Sequence, residues 1–270
     1  MEFWQNALRI LDVRMETPSL FGWFHLLWLG ITIAASLGLW LWHRKRGTTP
    51  VRKVVLGVAV AVVLLEIYKQ INFSFSYADG ITFDFQWYAF PFQFCSTPMY
   101  VGLLAGLSRP GKLHDAACAY LATFSVFAGV CVMIYPRDVF VPQIGINIQT
   151  MICHSSMIVV GVYLLCSGHV KLEHRTVLRA IPVFAVAVAL ACVMNELAYR
   201  TGLLETETFN MFFVSPHCEP SLPVYSLVQQ VVPFPVSLLI YVGIFTLAAW
   251  LILLLAMAIR QITAKHSIPR

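Results

Sequence analysis

His154 lies near the middle of the apolar stretch Pro142 to Cys166, which is long enough to cross a membrane. An ionisable group in hydrocarbon is expensive, so its default reading is functional, and a partner is sought for it. Cys95 offers one, in the segment Phe90-Pro91-Phe92-Gln93-Phe94-Cys95-Ser96-Thr97-Pro98. A thiol and an imidazole at matched depth are the minimal parts of a nucleophile–base pair. Such a pair points to nucleophilic chemistry inside a membrane, without naming a substrate.

The elements that must hold these groups follow from bulk composition. Of 270 residues, 59% are hydrophobic and 11% charged, against about 25% charged in soluble domains. The chain reads as an all-α integral membrane protein. Seven spans are expected, at 20–42, 54–74, 87–107, 114–135, 143–167, 178–200 and 235–260. Residues 1–18 interleave apolar side chains with charge and read as an N-terminal interfacial segment; 19–260 form the transmembrane domain and 261–270 a tail. The first apolar run follows 18 residues of mixed charge, so no cleavable signal is expected. The 201–234 connection, with Pro216, Pro220, Pro223 and Pro233, reads as a cap or re-entrant segment, not a soluble domain.

Orientation follows from Lys and Arg. Connections 43–53, 108–113 and 168–179 and the tail carry thirteen of them; the opposite side carries four, Arg9, Arg14, Arg137 and Arg200. The excess puts the C-terminus in the cytoplasm and the N-terminus outside, in a multi-pass protein of the cell membrane. The net charge of +5 comes from these short clusters, so no nucleic-acid partner is expected.

At 1.5 Å per residue, Cys95 lies roughly 12 Å and His154 roughly 16 Å in from the outer surface. Glu66 lies about 12 Å and Lys69 about 8 Å below it. Gln93, Asn147 and Gln149 fall in the same slab, and His25, Asn195 and Glu196 sit near the outer ends of their spans. Polar groups in hydrocarbon face one another or a wet cavity, so one cavity opening to the outer leaflet is the economical expectation. Asn147, Thr150 and His154 share a helix face, as do Glu66, Lys69 and Gln70. Glu66 and Lys69 read first as a self-neutralising pair, and alternatively as a proton or headgroup site.

Rivals are weaker. Cys153 adjoins His154, but successive helix residues do not face each other. His114 and Cys118 lie at i, i+4 at the end of span four, where a snorkelling His is ordinary. His217-Cys218 has no further ligands nearby, so no metal site is expected. The seven cysteines show no disulfide framework. Lys69 in span two does not support a retinal Schiff base.

The motifs carry a resemblance. Phe21-Gly22-Trp23-Phe24-His25-Leu26, Phe90-Pro91-Phe92-Gln93-Phe94-Cys95, the His154 helix, Phe209-Asn210-Met211-Phe212-Phe213 with Pro216, and Pro233-Phe234-Pro235 occur in that order. Together they resemble the YwaF-like family of bacterial integral membrane proteins, related to the eukaryotic transmembrane protein 164 acyltransferases. The resemblance implies that Cys95 accepts the acyl group and His154 is its base. In the bacterial pattern a His usually precedes that Cys by two positions; here the position is Gln93.

The expected activity is a cysteine-dependent lipid acyltransferase or lipid ester hydrolase. Cys95 and His154 are catalytic, and Gln93, Glu66, Lys69, Asn147, Asn195, Asn210 and His25 bind substrate. Gln93, Asn147 or Asn195 would stabilise the oxyanion. Membrane lipids are the partners and no cofactor is expected. The alternative is a transporter or receptor-like protein holding a small polar ligand in the same cavity.

Overall fold

The structure is a computed structural model, and it describes residues 2–76, 80–202, 209–218 and 222–265. It is almost wholly helical. Helix α1 spans Glu2–Leu11, α2 Trp23–Arg46 and α3 Val51–Ser74. A two-stranded antiparallel hairpin follows, β1 at Phe75–Ser76 and β2 at Thr82–Phe83, with Phe75 opposite Phe83. Then come α4 (Thr97–Leu107), α5 (Lys112–Ala122), α6 (Phe124–Ile134), α7 (Ile144–Cys166), α8 (His174–Arg200), α9 (Pro223–Val231) and α10 (Phe234–Lys265).

Among the described residues, six helices are long and apolar enough to cross a membrane, counting α5 and α6 as one. Span three departs from expectation. Its helical part is only the 11 residues of α4, and the chain from Phe90 to Ser96 is turn and extended backbone. The physical reason lies in the two prolines. Neither Pro91 nor Pro98 has an N–H to donate, and Pro98 falls in the first turn of α4, where that loss costs nothing. Span four is interrupted too, at Thr123 (φ −129°, ψ −78°), whose hydroxyl donates back to the Ala119 carbonyl at 2.7 Å.

Helix α7 is the central post, packed against α2, α3, α5 and α6. Between helices in lipid there is little hydrophobic drive, so close packing through small residues carries the association. At the α6–α7 contact a Cβ added to Gly129 would lie 2.8 Å from the His154 carbonyl oxygen and 3.0 Å from the Met157 Cβ. At the α3–α4 contact a Cβ on Gly102 would lie 2.9 Å from that of Ala59.

The basic connections gather at one end of the bundle. Arg52 donates to the Gly106 and Leu107 carbonyls at 3.3 and 3.4 Å, and Trp250 donates to His174 at 2.8 Å. At the other end the N-terminal segment is tied down: Tyr68 and Asn72 both donate to the Leu11 carbonyl, at 2.8 and 3.0 Å, and Met15 N–H donates to Pro142. The thirteen-to-four split of Lys and Arg predicts that the basic end faces the cytoplasm. A C-terminal reporter should therefore be active only inside the cell; activity only outside would reverse the orientation. Separately, Gly129→Val should lower stability in detergent by about 1–3 kcal/mol, the cost of overpacking. An unchanged thermal midpoint would show that the α6–α7 approach is not needed.

Candidate functional site

Two helices and a turn build the chamber. On α3, Val62, Glu66, Lys69 and Phe73 fall at i, i+4, i+7 and i+11 and form one stripe. On α7, Ile146, Gln149, Thr150, Cys153 and His154 face it. Tyr88, Ala89, Cys95, Ser96 and Met99 close the third side, and Asp138, Val139 and Val141 the mouth. The enclosed volume is about 300 Å³, reaching the end away from the basic connections. Cys95 also borders a narrow apolar slot of about 30 Å³ between α3, α4, α5 and α7.

The His154 imidazole is fixed by its own helix. Nδ1 lies 2.7 Å from the Thr150 carbonyl oxygen, which can only accept, so Nδ1 carries the proton and Nε2 the lone pair. Nε2 is buried and has no hydrogen-bond partner among the described residues. A buried polar atom without a partner is uncommon and needs an explanation. His154 lines a chamber that the Cys95 thiol also lines.

Cys95 sits in the turn just before α4, not within a helix. The Gln93 carbonyl ties the turn by accepting the N–H groups of Ser96 and Thr97 and the Thr97 hydroxyl, all at 3.0 Å. The thiol is thus held at the positive end of the α4 dipole, where negative charge is favoured.

The remaining polar groups divide into two sets. Lys69 and Glu66 pair at 2.5 Å, with their side chains only 15% and 10% exposed. Glu66 also accepts from the Gln70 amide at 3.0 Å and the Gln149 amide at 3.5 Å. Gln149 reaches the Cys153 sulfur at 3.4 Å, so a second thiol shares the chamber. The second set is spent on backbone. Gln93 donates to the Asn210 carbonyl at 3.1 Å and accepts Phe212 N–H at 2.9 Å. Asn195 donates to the Met211 carbonyl at 3.0 Å and accepts its N–H at 2.8 Å. Asn210 accepts Ser215 N–H at 2.9 Å, and Tyr241 donates to the Phe212 carbonyl at 3.0 Å. These bonds hold Phe212 and Phe213 at φ of 58° and 57°, a conformation that non-glycine residues rarely adopt. Asn147 brackets Val141 in the same way, at 3.0 and 2.7 Å. His25 accepts Phe21 N–H at 3.0 Å and donates to the Met133 carbonyl at 2.8 Å.

Of the residues singled out from sequence, the structure therefore brings Glu66, Lys69, Cys95 and His154 to one chamber. It does not bring His25, Gln93, Asn147, Asn195 or Asn210 there. Those five clamp non-helical segments, and Gln93, Asn147 and Asn195 each spend their carbonyl and one amide N–H on backbone outside the chamber. Cys153, Gln149, Ser96 and Asp138 join the chamber instead. The i, i+4 spacing of Gln149 and Cys153 was visible; nothing in the sequence signalled Asp138. At the basic end, His114 is buried 3% exposed rather than snorkelling, against Cys118 and His169.

The profile of the TMEM164 family matches residues 20–254. No match was found among curated proteins or among solved structures.

The Gln93 clamp makes a checkable claim. Gln93→Ala leaves the Phe212 N–H unpaired, which should cost about 1–3 kcal/mol. Its thermal midpoint in detergent should fall, whereas Cys95→Ala should not shift it. An unmoved midpoint in Gln93→Ala would show that the clamp is dispensable.

Proposed function

Since the chain belongs to the TMEM164 family, we propose that it is a multi-pass membrane enzyme transferring acyl groups through Cys95, an acyltransferase or lipid ester hydrolase of the cell membrane. Within the family, the Phe90–Cys95 motif groups it with the YwaF-like bacterial members. One observation carries the reading: His154, whose Nε2 is buried and without a hydrogen-bond partner among the described residues, lines the same chamber as Cys95.

The steps follow from that geometry. Nε2 takes the Cys95 thiol proton, and the thiolate attacks a lipid ester carbonyl. A carbon–sulfur bond forms, the ester C–O bond breaks, and the imidazolium returns the proton to the departing lysolipid oxygen. A hydroxyl of a second lipid, or water, then gives its proton to Nε2 and attacks the thioester. The thiolate leaves and takes the proton back. The Thr150 carbonyl keeps Nδ1 protonated throughout, so the same nitrogen acts as base and acid. The oxyanion needs donors that are not already committed. Gln149 lines the chamber, and its 3.5 Å contact to Glu66 is weak enough to be exchanged for the oxyanion. Lys69 lies beside it as a counter-charge. With the orientation read from Lys and Arg, the chamber opens to the outer leaflet and the substrate is a lipid of that leaflet.

The test is acyl transfer from a labelled phospholipid in liposomes. Cys95→Ala should abolish turnover, and Cys153→Ser should retain it, which separates the two thiols. His154→Ala should slow the reaction by about 10²–10⁴-fold, the usual worth of a positioned base. Unchanged turnover in Cys95→Ala would end the nucleophile reading. It would favour a transporter in which Glu66, Lys69 and His154 move protons.

A further inference from the structure

At the basic end a second constellation stands apart from the chamber. His114 and Cys118 lie one turn apart on α5, and His169 follows α7 in the connection to α8. Their donor atoms all lie within 4.8 Å of one another. His114 Nδ1 is 2.9 Å from the Ala105 carbonyl oxygen at the end of α4. A carbonyl only accepts, so Nδ1 carries the proton and Nε2 presents its lone pair. That lone pair faces two groups at once: His169 Nε2 at 2.8 Å and the Cys118 sulfur at 3.6 Å. One lone pair cannot satisfy both well, while one cation at the centre would take a lone pair from each.

The spacing fits such an ion. Tetrahedral zinc with Zn–S near 2.3 Å and Zn–N near 2.05 Å separates sulfur from nitrogen by roughly 3.6 Å and two nitrogens by roughly 3.3 Å. The Cys118–His114 distance already has that value. His169, which lies within 4.8 Å of the Cys118 sulfur, must withdraw from His114 by about half an ångström and settle roughly 3.6 Å from that sulfur, an adjustment open to a residue in an exposed connection. The bond from His114 Nδ1 to a backbone carbonyl is the outer-shell arrangement that orients ligating histidines. Two further observations concern access. His169 is exposed and lines a cleft of about 490 Å³ with Thr49, Arg52, Lys53 and Gly106. Among the described residues no further His, Cys, Asp or Glu joins the group. Three protein ligands with the fourth position open to a cleft is the pattern of zinc sites that keep a place for water or a ligand.

We propose that His114, Cys118 and His169 bind a zinc ion whose fourth position opens to this cleft. Binding releases the Cys118 thiol proton to water, leaving a thiolate on the metal. The ion joins α5 to the α7–α8 connection, on the side of the bundle away from His154.

The experiment uses the full-length protein in detergent, stripped with a chelator and dialysed against Zn²⁺, then against Co²⁺ as a spectroscopic substitute. One zinc per chain should bind. His169→Ala should weaken binding by more than the roughly 10–100-fold that loss of an outer-shell partner costs. Cys118→Ser should abolish the thiolate-to-cobalt charge-transfer band. His217→Ala, whose imidazole stacks on Tyr199 elsewhere, should change neither. His169 is exposed, so its variant remains readable even where His114→Ala fails to fold. No stoichiometric zinc, binding unaffected by His169→Ala, or a charge-transfer band that survives Cys118→Ser would overturn the site.

Discussion

In hydrocarbon every backbone N–H and C=O must find a partner within the protein, and that requirement shapes this molecule wherever its chain is not helical. Three non-helical segments show it: the approach to α4, the connection ahead of α7 and the stretch around Phe212. Each is closed by side-chain amides that pair with backbone twice over. Gln93 and Asn195 grip residues 210–212, and Asn147 grips Val141. Gln93 does more, since its carbonyl also ties the turn that carries Cys95. The position of the thiol thus depends on a clamp to a segment some 120 residues away in sequence, at Phe212.

Once those amides are assigned to scaffolding, the chamber is simpler than its polar content suggests. Glu66 and Lys69 neutralise each other, and Gln70 and Gln149 share the carboxylate. What is left uncommitted is a lone pair on His154 and a thiol. A breach in span three, with α4 starting only at Thr97, is what allows a thiol to stand at a helix N-terminus there. A continuous helix at 87–107 would have buried Cys95 as an ordinary small side chain.

Much of this could be read from the sequence, for physical reasons. Apolar run length reports spans well, and the helices at 23–46, 51–74, 144–166, 174–200 and 234–265 match the runs that announced them within several residues. Hydropathy does not register a helix break; Pro91 and Pro98 predict only a kink in span three beside Cys95, where the structure has a non-helical turn ending at α4. Helical periodicity placed Glu66 with Lys69 and Thr150 with His154 correctly on their faces. It could not tell which polar side chains look into a cavity and which turn to backbone, because that depends on distant loops. From sequence alone Gln93, Asn147, Asn195, Asn210 and His25 therefore read as ligand-binding groups, whereas the structure gives their side chains backbone partners. His169 stayed invisible beside His114 for the same reason: 55 residues separate them.

Acyl transfer through Cys95 requires a covalent intermediate on one sulfur. Intact-mass measurement of the purified protein after incubation with a phospholipid tests it most directly, followed by peptide mapping with and without hydroxylamine. The account predicts a mass increase equal to one acyl group, located at Cys95 and removed by hydroxylamine, and present at far lower occupancy in His154→Ala. An adduct located at Cys153, or turnover of the lipid with no acyl-enzyme and undiminished in Cys95→Ala, would contradict it.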